Sequence, residues 1–355
     1  MMTSKKMRLF SQNISLVCLF MLAGCAQQPQ FVIPSDSNLF WPSPPEAARI
    51  QYLYQFSGPV DLDIKPGWLS RLVGAFRGAQ EKSIGNSYGL TVDAEGRLYL
   101  VDNYYQAVHV FDAQNSQYHR FPERPPDDFV NPVGIALGNG GRIYVSDSVA
   151  GRVHVFAEQG RQYLGGIGEG QLQRPTGLAI NRKLGELLVL DTVASHLLVY
   201  DADTLMLKRV VGRPAASPGA EQLFHAPTNI ALAADGRVYV SDSLNFRVQI
   251  LNAELKPIKS FGRAGDGQGT FSRPKGLAID SDGHVYVIDA LFDNVQIFDS
   301  QGNLLLAFGG PGNVPGKFWL PNAIHIDSQD RIYVSDSYNK RVQVFQYIKP
   351  GEKME

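Results

Sequence analysis

From about Asn86 onward the chain writes one unit six times, and this repetition constrains the fold more than any other feature. The copies begin GLTVDAEGRLYLVDNYYQAVHVFD, GIALGNGGRIYVSDSVAGRVHVFA, GLAINRKLGELLVLDTVASHLLVYD, NIALAADGRVYVSDSLNFRVQILN, GLAIDSDGHVYVIDALFDNVQIFD and AIHIDSQDRIYVSDSYNKRVQVFQ. One aspartate marks each: Asp102, Asp147, Asp191, Asp242, Asp289 and Asp336, spaced 45, 44, 51, 47 and 47 residues apart. Every copy holds three apolar runs of strand length, with Gly/Asp turns such as Ala234-Asp235-Gly236 after the first. A fourth run follows, as in Lys256–Phe261 or Leu304–Phe308. A period of this length built from short strands predicts a β-propeller, one blade per copy, because a single copy cannot bury its own apolar faces.

The sixth copy lacks a fourth strand, since Lys349-Pro350-Gly351-Glu352-Lys353 does not read as one. Arg49–Phe56 (RIQYLYQF) is strand-like and has no blade of its own. The expectation is that it supplies the missing outer strand and closes the ring, which would protect open sheet edges. Trp68, Leu69, Leu72, Val73 and Phe76 within Pro66–Gln80 stand at helical spacing. They predict an amphipathic helix that covers the propeller's side, a membrane-surface role being the alternative. The division is therefore a closing strand and side helix at 49–85, six blades at 86–348 and a tail at 349–355. Composition agrees with one turn-rich β domain, with 44% hydrophobic residues, 35 Gly and 21 Pro. Two cysteines rule out a disulfide scaffold or a Cys-rich zinc module.

The copies resemble the NHL repeat, whose pattern is P-x-G-[LI]-A-[LIV]-D, then G-x-[LIV]-Y-V-x-D, then R-[LIV]-x-[LIV]-F. The likeness runs over about three quarters of the chain and implies an all-β, six-bladed β-propeller of NHL type.

A second resemblance lies at the N-terminus. Lys5, Lys6 and Arg8 precede an apolar run from Ile14 to Ala23, too short to span a bilayer and laid out like a secretory signal. It ends Leu22-Ala23-Gly24-Cys25, which resembles the lipobox of bacterial lipoproteins. The resemblance implies a signal peptide at 1–24, a lipid on Cys25 with an acyl chain such as palmitate on its amine, and a proline-bearing lipidated tether at 25–48. An ordinary signal peptide with a chance cysteine is the alternative. Ala26 and Gln27, where that family's retention signal would be Asp, imply the bacterial outer membrane, on either its periplasmic or its surface side. The full chain carries a formal charge of −1, and loss of Lys5, Lys6 and Arg8 leaves −4. That balance speaks against nucleic acid as a partner.

Residues common to all copies read as structural. The recurring Asp caps the turn after its strand, an Asx-type role, rather than joining a ring of carboxylates around Ca²⁺. Arg152, Arg247 and Arg341 recur in three copies as loop bridges.

The two residues after Asp-x are Tyr104-Tyr105, Val149-Ala150, Val193-Ala194, Leu244-Asn245, Leu291-Phe292 and Tyr338-Asn339. The NHL pattern usually places a small or polar residue first, whereas all six here are apolar or aromatic. Either they tuck under neighbouring loops as local core, or they form an exposed surface for a protein or small ligand. Tyr104, Tyr105, Leu291, Phe292 and Tyr338 fall on copies adjacent in a ring and are the expected contact residues. Tyr88, Val133, Thr176, Thr228, Lys275 and Asn322 are expected nearer the axis, with Tyr88 and Lys275 as binding residues at the mouth.

Six-bladed relatives include metal-dependent lyases and lactone hydrolases, so an enzyme acting on a small molecule in the channel is the competing expectation. In the lyase branch, zinc-binding histidines follow the inner-strand proline; Val133, Thr176, Thr228, Lys275 and Asn322 stand there instead. His325 occupies a position held elsewhere by Thr91, Ala136, Ala179, Ala231 and Ala278. It is a lone metal candidate where zinc catalysis wants about three ligands. No catalytic set or cofactor is implied. The sequence therefore points to a lipid-anchored scaffold of the bacterial envelope that binds a protein or a small ligand.

Overall fold

Each repeat folds as an antiparallel sheet of four strands in chain order. The first, for example, comprises Ser87–Val92, Leu98–Asp102, Ala107–Asp112 and Gln117–Phe121. In this computed structural model, residues 39–64, 83–123, 129–212 and 223–351 are described. The expected signal peptide with Cys25, most of the tether, the helix over Pro66–Gln80 and the last four tail residues lie outside the described residues.

Apolar density falls from the middle of each sheet to its outer edge. The second strands are buried on both faces, as in Leu98–Asp102 and Val285–Asp289, so their sequences are nearly continuous apolar runs rather than alternating ones. The third strands are buried too but place a polar side chain in mid-strand, such as His109, His154, Gln249, Gln296 or Gln343. Outer strands such as Leu207–Val211 and Pro257–Phe261 are largely exposed and carry Lys208, Arg209 and Lys259. Between the sheets lie the aromatics. Tyr144, Tyr239 and Tyr286 are fully buried, and the hydroxyls of Tyr144 and Tyr286 are satisfied by Ala202 O at 2.7 Å and Asp280 Oδ2 at 3.0 Å.

The innermost strands approach one another closely enough to require glycine. A Cβ on Gly89 would meet Val133 O at 2.6 Å, and one on Gly276 would meet Asn322 O at 2.9 Å. The G of the repeated P-x-G is thus a spacing device between inner strands.

The N-terminal strand requires a correction. Ile50–Phe56 pairs antiparallel with Arg341–Tyr347 at the outer side of the sixth sheet. This pairing does not close the ring: among the described residues the six sheets are separate and open, and none closes on itself by backbone hydrogen bonds. The innermost strands of the sixth and first sheets, Pro321–Ile326 and Ser87–Val92, pack side by side without a shared ladder. The physical reason lies in the direction of the bonds: a strand added at the rim lengthens its own sheet radially and leaves the gap between sheets to side chains. Phe40–Trp41, read from sequence as tether, adds a fifth strand to the same sheet, with Trp41 opposite Ile50. The Trp41 ring packs 5.7 Å from Phe308 and 5.9 Å from Phe345.

Candidate ligand face and central cavity

The recurring aspartates build one face of the propeller. Asp147 accepts hydrogen bonds from Asn131 N at 2.9 Å, Val149 N at 3.1 Å and Ala150 N at 2.9 Å, and from Val130 N. Asp102 takes Gly85, Asn86, Tyr104 and Tyr105 in the same way, and Asp289 takes Ser272, Arg273 and Leu291. Each carboxylate therefore ties the loop that enters the inner strand to the loop that leaves the second strand. All six are fully buried, a placement tolerable only because their lone pairs are filled. Burial pushes the Asp102 carboxyl up, yet the hydrogen bonds from His109, Gly85 and Asn86 together hold it below the ordinary value.

Arg247 and Arg341 reach their caps through Nε, at 2.9 Å to Asp242 and 2.7 Å to Asp336, and run on to loop carbonyls. In the first blade His109 substitutes, with Nε2 3.2 Å from Asp102 and Nδ1 2.9 Å from the Tyr118 hydroxyl. Burial lowers the His109 pKa despite Asp102, so the ring serves as a neutral bridge.

A second device escaped the sequence reading. The residues on either side of the cap donate hydroxyl protons to the next blade: Ser146 to Thr176 O at 2.6 Å, Thr192 to Pro227 O at 2.7 Å and Ser243 to Pro274 O at 2.6 Å. Ser241 reaches Lys275 O, and Ser335 and Ser337 both reach Ser87 O. Between the first two blades Asn103 Nδ2 donates to Asn131 Oδ1 at 3.1 Å. The available signal was the triplet Ser-Asp-Ser, which recurs in the second, fourth and sixth copies. In the fifth copy Ile288 and Ala290 stand in those places, and Lys275 Nζ to Asn322 Oδ1 at 2.6 Å spans that seam.

On the face so fixed, the first residue after Asp-x projects into solvent in every blade. Relative exposures are 72% for Tyr104, 63% for Val149, 57% for Val193, 52% for Leu244, 52% for Leu291 and 56% for Tyr338. They do not tuck under the loops. The second residues differ: Tyr105 and Phe292 are half-buried, Tyr105 beneath the Arg120 guanidinium at 4.7 Å. Trp319, which the repeat pattern did not flag, is also exposed and lies 5.5 Å from the Tyr338 ring.

The inner strands enclose a cavity of about 770 Å³. Tyr88, Val133, Thr176, Thr228, Lys275 and Asn322 all line it, and Leu244 of the exposed ring borders it. Lys275 Nζ also lies 5.7 Å from the centre of the Tyr88 ring, which brings the two expected mouth residues together. Burial, and then the charge of Arg273, lower the Lys275 pKa to about 8. His325 lines the cavity too, and burial lowers its pKa to about 4 against a smaller opposing pull from Asp327. Among the described residues no three His, Cys, Asp or Glu side chains gather as a metal ion would need, so His325 has no companion ligands there. No helix among them is long and apolar enough to cross a membrane.

Three segments, residues 129–156, 271–298 and 318–345, match the NHL repeat; they are the second, fifth and sixth copies. No curated protein sequence matches the chain. Among solved structures, a protein of unknown function from Bacteroides thetaiotaomicron VPI-5482 is 14% identical with a TM-score of 0.59, over 76% of this chain and 70% of that one. An auxiliary nutrient binding protein from the same organism is 15% identical with a TM-score of 0.58, over 75% and 70%. Virginiamycin B lyase from Staphylococcus aureus is 11% identical with a TM-score of 0.53, over 74% and 95%. At such identities the likeness is one of fold, shared by a binding protein and an enzyme alike.

Proposed function

We propose that this six-bladed β-propeller of NHL repeats is a binding scaffold, anchored in the bacterial envelope through Cys25, that presents its capped loop face to a protein partner. One observation carries the reading: six apolar side chains, one per blade, stand exposed on loops that buried carboxylates hold rigid. Soluble proteins rarely leave such a set uncovered, and pre-organised loops lose little entropy on docking. Tyr104, Leu291 and Tyr338, with Trp319 beside Tyr338, supply the large side chains that dominate interfaces, and the Tyr105 ring packs edge-on against Tyr104; half-buried Phe292 completes the set. The lipobox-like Leu22-Ala23-Gly24-Cys25 motif supports the anchor and the outer-membrane location. The naming of one structural neighbour as a nutrient binding protein is in keeping with a binding role.

The test is affinity capture of the full-length protein from detergent-solubilised envelopes. It compares wild type with the triple variant Tyr104→Ser, Leu291→Ser, Tyr338→Ser, both checked for folding. A discrete partner lost only from the variant supports the reading; equal capture by both, or by neither, removes it. The anchor is tested separately by labelling with an alkynyl palmitate analogue, which Cys25→Ala should abolish.

A further inference from the structure

The loop face leaves the cavity behind it without a role. Four cations line that cavity: Arg174, Arg273 and Lys275 at the start of the inner strands, and Arg182 at their other end, where it donates to Asn139 Oδ1 and Leu137 O; no Asp or Glu is among the described residues that do so. Among the described residues Lys275 Nζ has only an uncharged oxygen, Asn322 Oδ1, as its hydrogen-bond partner. The guanidinium groups of Arg174 and Arg273 have no acidic partner among the described residues, although the chain carries 34 acidic residues in all. Concentrating like charges at the rim of a low-dielectric cavity, without a counter-charge, is unfavourable until an anion enters. Deeper in, the wall changes character: Ile230, Leu277, Ile324 and Ile326 are aliphatic, and His325 is held neutral among them. The volume suits a small molecule rather than a bare ion.

We propose that the central cavity is a binding site for an organic carboxylate with an apolar body, its charged group held by Lys275 and Arg273 and its body laid against the aliphatic wall. The Nζ–H groups of Lys275 not used on Asn322 donate to the carboxylate, and Arg273 adds its field from the rim. Tyr88 flanks the ammonium and turns its ring face toward it, which holds the charge near the axis.

Isothermal titration calorimetry on the full-length chain tests this with two probes of the same body, 4-phenylbutyrate and 4-phenylbutanol. At pH 7 the acid should bind at least about tenfold tighter than the alcohol, the usual scale of a charge-assisted pair. Lys275→Met should erase that preference and leave the alcohol's affinity in place. Arg273→Gln, at an exposed position and so safe for folding, should reduce the preference in part. Raising the pH from 7 to 9.5 should weaken acid binding to wild type and leave Lys275→Met unmoved, because the wild-type ammonium is lost over that range. Equal affinities for acid and alcohol, no binding of either, or a preference that survives Lys275→Met would each overturn the proposal. The triple loop variant should keep its acid binding, so failure of this site and failure of the loop face are read separately.

Discussion

The Ser337 hydroxyl donates to the carbonyl of Ser87, 250 positions earlier in the chain. Ser335 joins it, reaching the Ser87 hydroxyl at 2.8 Å. The last blade is thus stitched to the first by side chains across an interface that has no backbone ladder, and the same stitch recurs from the second blade to the third and from the fourth to the fifth.

Removing the Ser337 hydroxyl should therefore loosen the ring at its joint. Ser337→Ala is expected to cost about 0.5–1.5 kcal/mol in equilibrium urea unfolding, the net worth of one hydrogen bond, because Ser335 still donates to the Ser87 carbonyl. A change below about 0.5 kcal/mol would mean that packing alone holds that joint.

The capping carboxylates should be more sensitive. Asp147→Ala strands four backbone N–H groups, so a loss of more than about 3 kcal/mol is expected. Asp147→Asn keeps one acceptor oxygen and should lose clearly less. Thermal unfolding of the two variants side by side checks the order.

His325 should make the fold acid-sensitive. Its folded pKa of about 4 lies below the ordinary 6.5, so between those values the unfolded chain binds the extra proton. The contribution is intact above pH 6.5 and is lost as the pH falls through 4. His325→Ala, which installs the residue that Ala136, Ala179, Ala231 and Ala278 supply in other blades, should lose about 1–3 kcal/mol less than wild type between pH 7 and pH 4. Urea midpoints at the two pH values give the difference; parallel losses would sink the idea.

The exposed ring should be nearly silent for stability. Tyr104→Ser, Leu291→Ser and Tyr338→Ser each remove a side chain more than half exposed, so each should change unfolding free energy by no more than about 0.5 kcal/mol. A large loss would show that these side chains are core after all.

Sequence reading reached as far as repetition reaches. Six copies of one aspartate identified the caps, and the second residue of each inner strand, which follows a proline in five copies and Ser87 in the first, pointed to the cavity lining, because both recur at a fixed place in the unit. It went wrong where a hydrogen bond ends on the backbone. Ser335 and Ser337 join the last blade to the first on the Ser87 carbonyl, and a carbonyl leaves no mark on residue identity, so the expectation gave the closing role to Arg49–Phe56 instead. Whether Tyr104 and its five counterparts were buried could not be decided either. Loop residues have no period from which a buried face can be inferred. Trp319 escaped notice, and Trp41 was read as tether, for a simpler reason, since neither belongs to the repeated pattern.

Phe40–Trp41 is only two residues long, and Pro42, Pro44 and Pro45, none of which carries an amide hydrogen, follow at once. The sixth sheet therefore stops at a rim too short and too poor in donors to recruit a strand from another molecule. Trp41 also leans on Phe308 in the outer strand Leu304–Gly309, the rim sequence LLLAFG that has no charge of its own. Elsewhere Arg120, Lys208, Arg209 and Lys259 put charge on the rims. These rims are guarded in this way against the edge-to-edge pairing with which open sheets would otherwise begin aggregation.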